Sequence, residues 1–240
     1  MRTLVDEKMT VREMVRRFPQ VRQALEEMGI DYCCGGDVSL QEAAASQGVA
    51  VDALVQALDE ATHTATGPEF RDWSIASAAE LLDHIVSTHH EYMRRELPRL
   101  SALLERVKEA HPAHRPMLER LDHIFAHLRE EIELHLRKEE QVLFPLIRRI
   151  EADAGIGRPS APQPIPVANP ILQMEREHDA AGQSLAQMRR LTHDYSLPPD
   201  ACMSFKGLYD GLQAMEADLR EHIHLENNIL FPKASELERA

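Results

Sequence analysis

His135-Leu-Arg-Lys-Glu139-Glu-Gln-Val-Leu143-Phe144-Pro145 occurs a second time near the end of the chain, as His222-Ile-His-Leu-Glu226-Asn-Asn-Ile-Leu230-Phe231-Pro232. Both copies keep a histidine, a glutamate and a Leu-Phe-Pro stop at the same offsets. Residues four apart on a helix lie on one face, about 6 Å from each other. Each copy therefore presents an imidazole and a carboxylate to one point, and the two copies supply four metal ligands: His135, Glu139, His222 and Glu226.

A solvated surface pair is the alternative interpretation of a His-x3-Glu spacing. In a chain with 28% charged residues, a single instance is more often of that kind. Here both instances lie in segments rich in Leu, Ile and Val, and both end at a proline, which cannot continue the pattern. The repetition favours a buried metal site.

Composition indicates an all-α protein. The 240 residues are 43% hydrophobic, contain only 10 glycines, and show no hairpin turn between alternating strands. The formal charge of −13 repels phosphate backbones and anionic membranes, so we expect no nucleic acid and no membrane partner. No stretch reaches the roughly 18 apolar residues of a membrane helix, and the N-terminus lacks an apolar signal core. We therefore expect a cytoplasmic protein.

The pattern predicts two domains. Residues 1–65 carry short helices with start signals at Thr10-Val-Arg-Glu13 and Ser39-Leu-Gln-Glu42, and form a small helical domain. Residues 66–76 are a linker, because Gly-Pro interrupts the apolar periodicity near its start. Residues 77–240 contain four long helical patterns, at about 77–110, 117–150, 169–195 and 201–237, with a loop at 152–167 and a kink expected at Pro98. Four such helices with inward His and Glu side chains predict a four-helix bundle.

The first and third helices of the bundle should complete the ligand set. His84 and His178 each lie in an apolar stripe, and we predict that both bind metal. A lone histidine on an apolar face is more often a satisfied core residue, but the complementary partners favour ligands here. We interpret His127, Glu131 and Glu177 as groups beside the site, with a solvated face as the equal alternative for His123 and His127.

Four imidazoles and two carboxylates are too many for one tetrahedral zinc, and thiolates are absent from the set. Two metals fit better. Each carboxylate would bridge both ions and each ion would take two imidazoles, which leaves room for a bridging oxide and an exchangeable ligand. His and carboxylate ligands with open positions suit iron, and manganese is the alternative.

These residues resemble a known family, the hemerythrin-like di-iron proteins, and within it the RIC group, for repair of iron centres. The resemblance rests on His84, the two His-x3-Glu-x3-Leu-Phe-Pro blocks, His178 and the segment Tyr32-Cys33-Cys34-Gly35-Gly36, which is similar to the small ScdA-type domain of that group. It implies a hemerythrin-like bundle with two non-haem iron ions per chain, a cytoplasmic homodimer, and restoration of iron-sulfur clusters damaged by nitric oxide or peroxide. Gly182, four residues after His178, departs from the oxygen-carrying branch, so oxygen storage is disfavoured.

The adjacent Cys33 and Cys34 are a second functional signal. Adjacent cysteines are poor disulfide partners, and the following glycines and the helix start near Ser39 favour thiolate chemistry. We predict a role in iron transfer or redox relay. The alternative is that they are two small buried residues of a mini-core. Cys202 we interpret as structural.

Two activities remain open at the same site. The first is donation of iron to damaged or apo iron-sulfur proteins, and the second is enzymatic reduction of nitric oxide to nitrous oxide. Nitric oxide and oxygen are the expected small ligands. An oxygen or redox sensor is a third interpretation, disfavoured because both domains are accounted for without an output module.

Overall fold

The structure, a computed structural model, describes residues 4–33, 36–63, 72–155 and 166–239. Within these ranges every regular element is helical, apart from one isolated antiparallel bridge between Thr10 and Ser39. The prediction of an all-α protein is confirmed. The chain divides into two compact units, the first formed by Met1–Ala76 with Ile223–Pro232 and the second by Ser77–His222 with Lys233–Ala240.

The first unit begins with four short helices: α1 Val11–Arg17, α2 Arg22–Glu27, α3 Leu40–Gln47 and α4 Val51–Thr62. Both predicted start signals cap a helix. The Thr10 hydroxyl accepts a hydrogen bond from the Glu13 amide, and Ser39 and Glu42 form a reciprocal capping box. These caps satisfy amides that the first turn of a helix leaves unpaired.

The first unit has its own apolar core, whose side chains are fully buried: Val11, Met14, Val15, Leu25, Leu40, Leu54 and Leu58. Burying a side chain of this size stabilises the fold by about 1.5–3 kcal/mol. The segment 223–232 joins this core by two amide side chains. Asn227 donates to the carbonyl of Cys33 at 2.9 Å, and Asn228 donates to the carbonyl of Tyr32 at 2.9 Å.

Seven further helices follow along the described part of the chain, and they belong to the second unit apart from the residues within 223–232: α5 Ala78–Ile85, α6 Glu91–Ala110, α7 Arg115–Lys138, α8 Phe144–Gly155, α9 Ala168–Thr192, α10 Met203–Leu225 and α11 Phe231–Arg239. Three π-helical turns, Val86–His90, Glu139–Leu143 and Glu226–Leu230, join α5 to α6, α7 to α8, and α10 to α11. The result is four helical runs at 78–110, 115–155, 168–192 and 203–239. The four helices expected from the sequence are these runs, with ends within about five residues.

Local contacts explain where these runs begin and how closely they pack. Ser77 and Glu80 form a capping box at the start of α5, and the amides of Ala78 and Ala79 donate to the Glu151 carboxylate of α8. A Cβ on Gly211 of α10 would lie 2.6 Å from a methyl carbon of Leu100 in α6. Glycine at 211 therefore permits close approach of these two helices.

Some expectations fall on residues outside the described ranges. They are Cys34, residues 66–71 of the expected linker, and residues 156–165 of the expected loop. Pro98 lies inside α6, which runs on through it. Across the described residues, no helix combines the length and the apolar character needed to traverse a bilayer.

Candidate metal centre

Buried histidines and glutamates converge into two groups of four. The ligand atoms of each group lie within 4.8 Å of one another, and every member is buried. One group contains His90, Glu139, His222 and Glu226, and the other contains His135, Glu139, His178 and Glu226. Imidazole nitrogens and carboxylate oxygens without thiolates form a donor set that suits iron or manganese.

Both carboxylates belong to both groups, whereas each imidazole belongs to one. The Glu139 side chain shows the arrangement directly. Its Oε1 lies 3.1 Å from Nε2 of His135, and its Oε2 lies 3.3 Å from Nε2 of His90 and 3.9 Å from Nε2 of His222. Each oxygen of one carboxylate therefore faces a different set of imidazoles, as a carboxylate between two cations would.

The π-helical turns hold three of these side chains. Glu139 and Glu226 are the first residues of their turns, and His90 is the last residue of the turn in the first run. A π-turn closes its hydrogen bond over five residues instead of four, which inserts one residue and turns the face that follows. Such turns are frequent at functional sites.

The first run supplies a different histidine from the one selected from the sequence. His90 is fully buried and belongs to the first group, whereas His84 belongs to neither group. His84 is half-buried, and its Nδ1 lies 3.2 Å from the hydroxyl of Thr88. The other five predicted ligands, His135, Glu139, His178, His222 and Glu226, all lie in the groups.

Comparison with known proteins agrees with this donor set. The family model described as the hemerythrin HHE cation binding domain matches residues 81–234, which include every member of both groups. This chain belongs to the hemerythrin HHE family. A second model, a domain of unknown function named ScdA_N, matches residues 7–62 of this hemerythrin-family chain.

Curated relatives cover nearly the whole chain. Proteins named iron-sulfur cluster repair protein YtfE from Salmonella paratyphi B, Salmonella newport and Salmonella heidelberg are each 36% identical over 223 residues, 92% of this chain and 94% of the relative. Together with the two family models, these matches confirm the resemblance to the iron-centre repair group.

Two imidazoles of these groups in the hemerythrin-family domain lie within hydrogen-bond distance of carboxylates outside the groups. Nδ1 of His90 lies 2.6 Å from Oε1 of Glu140, which also accepts from Arg94 at 2.6 Å. Burial alone would raise the pKa of Glu140, but the hydrogen bonds from His90 and Arg94 outweigh it and lower that pKa. Because Nδ1 is engaged outside the group, Nε2 is the nitrogen left to face it.

His135 is held in the same way from another helix. Its Nδ1 lies 2.9 Å from Oε2 of Glu177 in α9, and Lys138 donates to the other oxygen of that carboxylate. The hydrogen bond from His135 is the main reason why the pKa of Glu177 falls to about 2. Glu177 thus lies beside the site, whereas His127 and Glu131 form an exposed pair, 63% and 43% accessible.

Glu139 is held as a carboxylate by its surroundings. Complete burial would raise its pKa, but the charge and hydrogen bond of His135, the hydrogen bond from His90 and the charge of His222 hold the pKa well below its usual range. A deprotonated carboxylate is the form that binds a metal.

Cys33 is buried in the first unit, where its position is defined by three contacts. Its amide and its thiol both donate to Oδ1 of Asp31, at 2.9 and 3.0 Å, and its carbonyl accepts from Asn227. Asn227 directly follows Glu226 in the chain. The backbone of Cys33 is therefore hydrogen-bonded to Asn227, the neighbour in sequence of Glu226, which belongs to both groups.

Proposed function

We propose that this protein holds two non-haem iron ions with a bridging oxide. The observation that carries the proposal is that the two groups share both of their carboxylates. The proposed ligands are His90, His135, His178 and His222, with Glu139 and Glu226 as bridges. His90 takes the place that we first gave to His84. Bound iron would supply one-electron chemistry and open coordination positions for nitric oxide or oxygen.

We further propose that the protein repairs iron-sulfur clusters by donating iron to the damaged or apo protein. The printed names of the relatives support this activity. The donor set also suits release of iron, because only two carboxylates and four neutral imidazoles would hold the ions. Protonation of these ligands or reduction of the iron weakens such binding. Glu140 and Glu177 would orient the imidazoles of His90 and His135, and all the proposed ligands are buried.

Cys33 and Cys34 would receive iron or pass electrons. The support is positional, because Cys33 hydrogen-bonds to Asn227 and Glu226 precedes that residue. Replacing both thiols with serine should slow transfer of iron while leaving the iron content unchanged. A variant that transfers at the parent rate would remove the thiols from the proposal.

The experiment is transfer of isotopically labelled iron from the reduced protein to an apo iron-sulfur enzyme. We expect label in the recipient and recovery of its activity, with His84→Ala as a matched control and His90→Ala as the impaired variant. No label in the recipient under reducing conditions would refute donation. Anaerobic addition of nitric oxide, with analysis of the gas, tests the rival activity. Repeated turnover to nitrous oxide would favour the enzyme.

We also propose a cytoplasmic homodimer, following the resemblance to the iron-centre repair group. Light scattering during size-exclusion chromatography should give twice the mass of 27.2 kDa. A single-chain mass at micromolar concentration would refute the dimer.

A further inference from the structure

A cysteine and a histidine face each other at the start of α10, outside both metal-binding groups. Sγ of Cys202 lies 3.1 Å from Nε2 of His111, which ends α6. The Cys202 side chain is exposed, whereas His111 is only 9% accessible. An accessible thiol next to a buried imidazole has both a path to small molecules and a ring nitrogen within hydrogen-bond distance.

Cys202 occupies the cap position of a long helix. Its carbonyl accepts the first hydrogen bond of α10, from the amide of Lys206 at 3.0 Å. Ser, Thr, Asn and Asp are the usual residues at such a cap, because their oxygen accepts from free amides of the first turn. Here a sulfur stands in that place, where the backbone amides of Phe205 and Ser204 help to lower the pKa of Cys202.

The imidazole is held in place by its neighbours. The His111 ring packs edge-to-face on the buried Phe205 ring, with 5.1 Å between centroids. The segment after α6 and the segment before α10 make a second contact, in which Nε2 of His114 lies 2.8 Å from Oδ1 of Asp200. His114 and Asp200 are thus paired with each other, and His111 is the titratable group that contacts the sulfur.

These donors stabilise the thiolate over the thiol. The hydrogen bond from His111 comes first and the two backbone amides add to it, so the pKa of Cys202 falls to about 7. A free cysteine has a pKa of about 8.5. Thiolates near neutral pKa are the most effective attackers of disulfides at physiological pH.

We propose that Cys202 is the nucleophile of a thiol–disulfide exchange site for small-molecule disulfides, with His111 as its positioning residue. The Cys202 sulfur attacks one sulfur of the disulfide and forms a new S–S bond. The original S–S bond breaks, and its electron pair leaves on the second sulfur as a thiolate. Cys202 is oxidised, the departing sulfur is reduced, and no other oxidant is required. The site is separate from the proposed iron centre and does not depend on it.

The test uses the full chain carrying Cys33→Ser and Cys34→Ser, which leaves Cys202 as its single thiol. Its rate of reaction with dithiodipyridine, a neutral disulfide, is followed between pH 6 and 9. We expect a midpoint near pH 7 and a mixed disulfide on Cys202, found by peptide mass mapping, after incubation of the unmodified protein with oxidised glutathione.

The variant His111→Phe keeps an aromatic ring against Phe205 but removes the donor. If the pKa returned to about 8.5, the thiolate fraction at pH 6 would fall about 30-fold. A more basic thiolate is more nucleophilic, which raises the rate constant of the thiolate itself about fivefold. The observed rate at pH 6 should therefore fall about sixfold. His114→Gln removes the neighbouring pair but not the donor, and should leave the profile unchanged.

Three results would overturn the proposal. They are a midpoint at or above pH 8.5 in the parent, an unchanged profile in His111→Phe, and no glutathione on Cys202. Circular dichroism of each variant checks that it folds. The parent profile needs no variant at position 111, so the proposal can be refuted even if His111→Phe does not fold.

Discussion

Replacing His90 with alanine should remove one proposed iron, whereas replacing His84 should remove none. The two histidines are six residues apart in the same helical run: His84 precedes the π-helical turn Val86–His90, and His90 is the last residue of that turn. Only His90 belongs to a group of converging ligands, and its ring is completely buried. The pair therefore compares a proposed ligand with a histidine of the same helical run that lies outside both groups.

The expected size of the effect follows from the two groups. His90 supplies one of four donors to the first group and none to the second, whose imidazoles come from His135 and His178. Loss of an outer partner of a metal ligand typically weakens binding about 10–100-fold, and loss of the ligand itself should exceed this. Iron per chain in His90→Ala should therefore fall by about half.

Iron is measured by mass spectrometry of the purified protein and related to chain concentration, and Mössbauer spectra report whether the remaining iron is mononuclear. His84→Ala serves as the control, since it should keep the iron content of the parent. Equal losses in both variants, or full iron in His90→Ala, would refute the assignment of His90.

Three further predictions follow from the contacts around the site. Glu140→Gln should weaken iron binding about 10–100-fold in competition with a chelator, because His90 loses the carboxylate that orients it. Asn228→Ala should lower the free energy of unfolding by about 1–3 kcal/mol for each buried partner it leaves, and these are the Tyr32 carbonyl and Nδ1 of His224. Full stability in urea would contradict it. Removing iron should lower the melting temperature, since ligand at one hundred times Kd contributes about 2.7 kcal/mol; an unchanged transition would argue against a buried iron site.

The helical architecture could be predicted because several local signals agreed. Capping signals at Thr10 and Ser39 marked helix starts that the structure shows. Apolar periodicity and the scarcity of turn signals then gave four long runs. The expected kink at Pro98 stays a prediction, because α6 is continuous through this residue and a proline can bend a helix without ending it.

The contribution of the segment 223–232 to the first unit could not be predicted. Asn227 and Asn228 reach the carbonyls of Cys33 and Tyr32, which are 194 and 196 residues away in the chain. Sequence periodicity reports which face of a helix is apolar, but it carries no information about which distant backbone an amide will meet. These two asparagines look like ordinary polar residues of the second repeat.

The structure brings His90 and not His84 into the groups for a geometric reason, which also explains why the repeated blocks could be found from the sequence. Regular α-helical periodicity places neighbouring ligands four residues apart, and one inserted residue rotates everything after it by about 100°. In both repeats the π-turn begins four residues after the histidine. An alignment of the two repeats therefore matches equivalent residues even when the inserted residue is not known. α9 is a continuous α-helix, so the ordinary period suffices to place His178. The first run also has a π-turn, but the sequence holds no second copy of it for comparison. Regular α-helical periodicity therefore favoured His84 and gave no reason to choose His90.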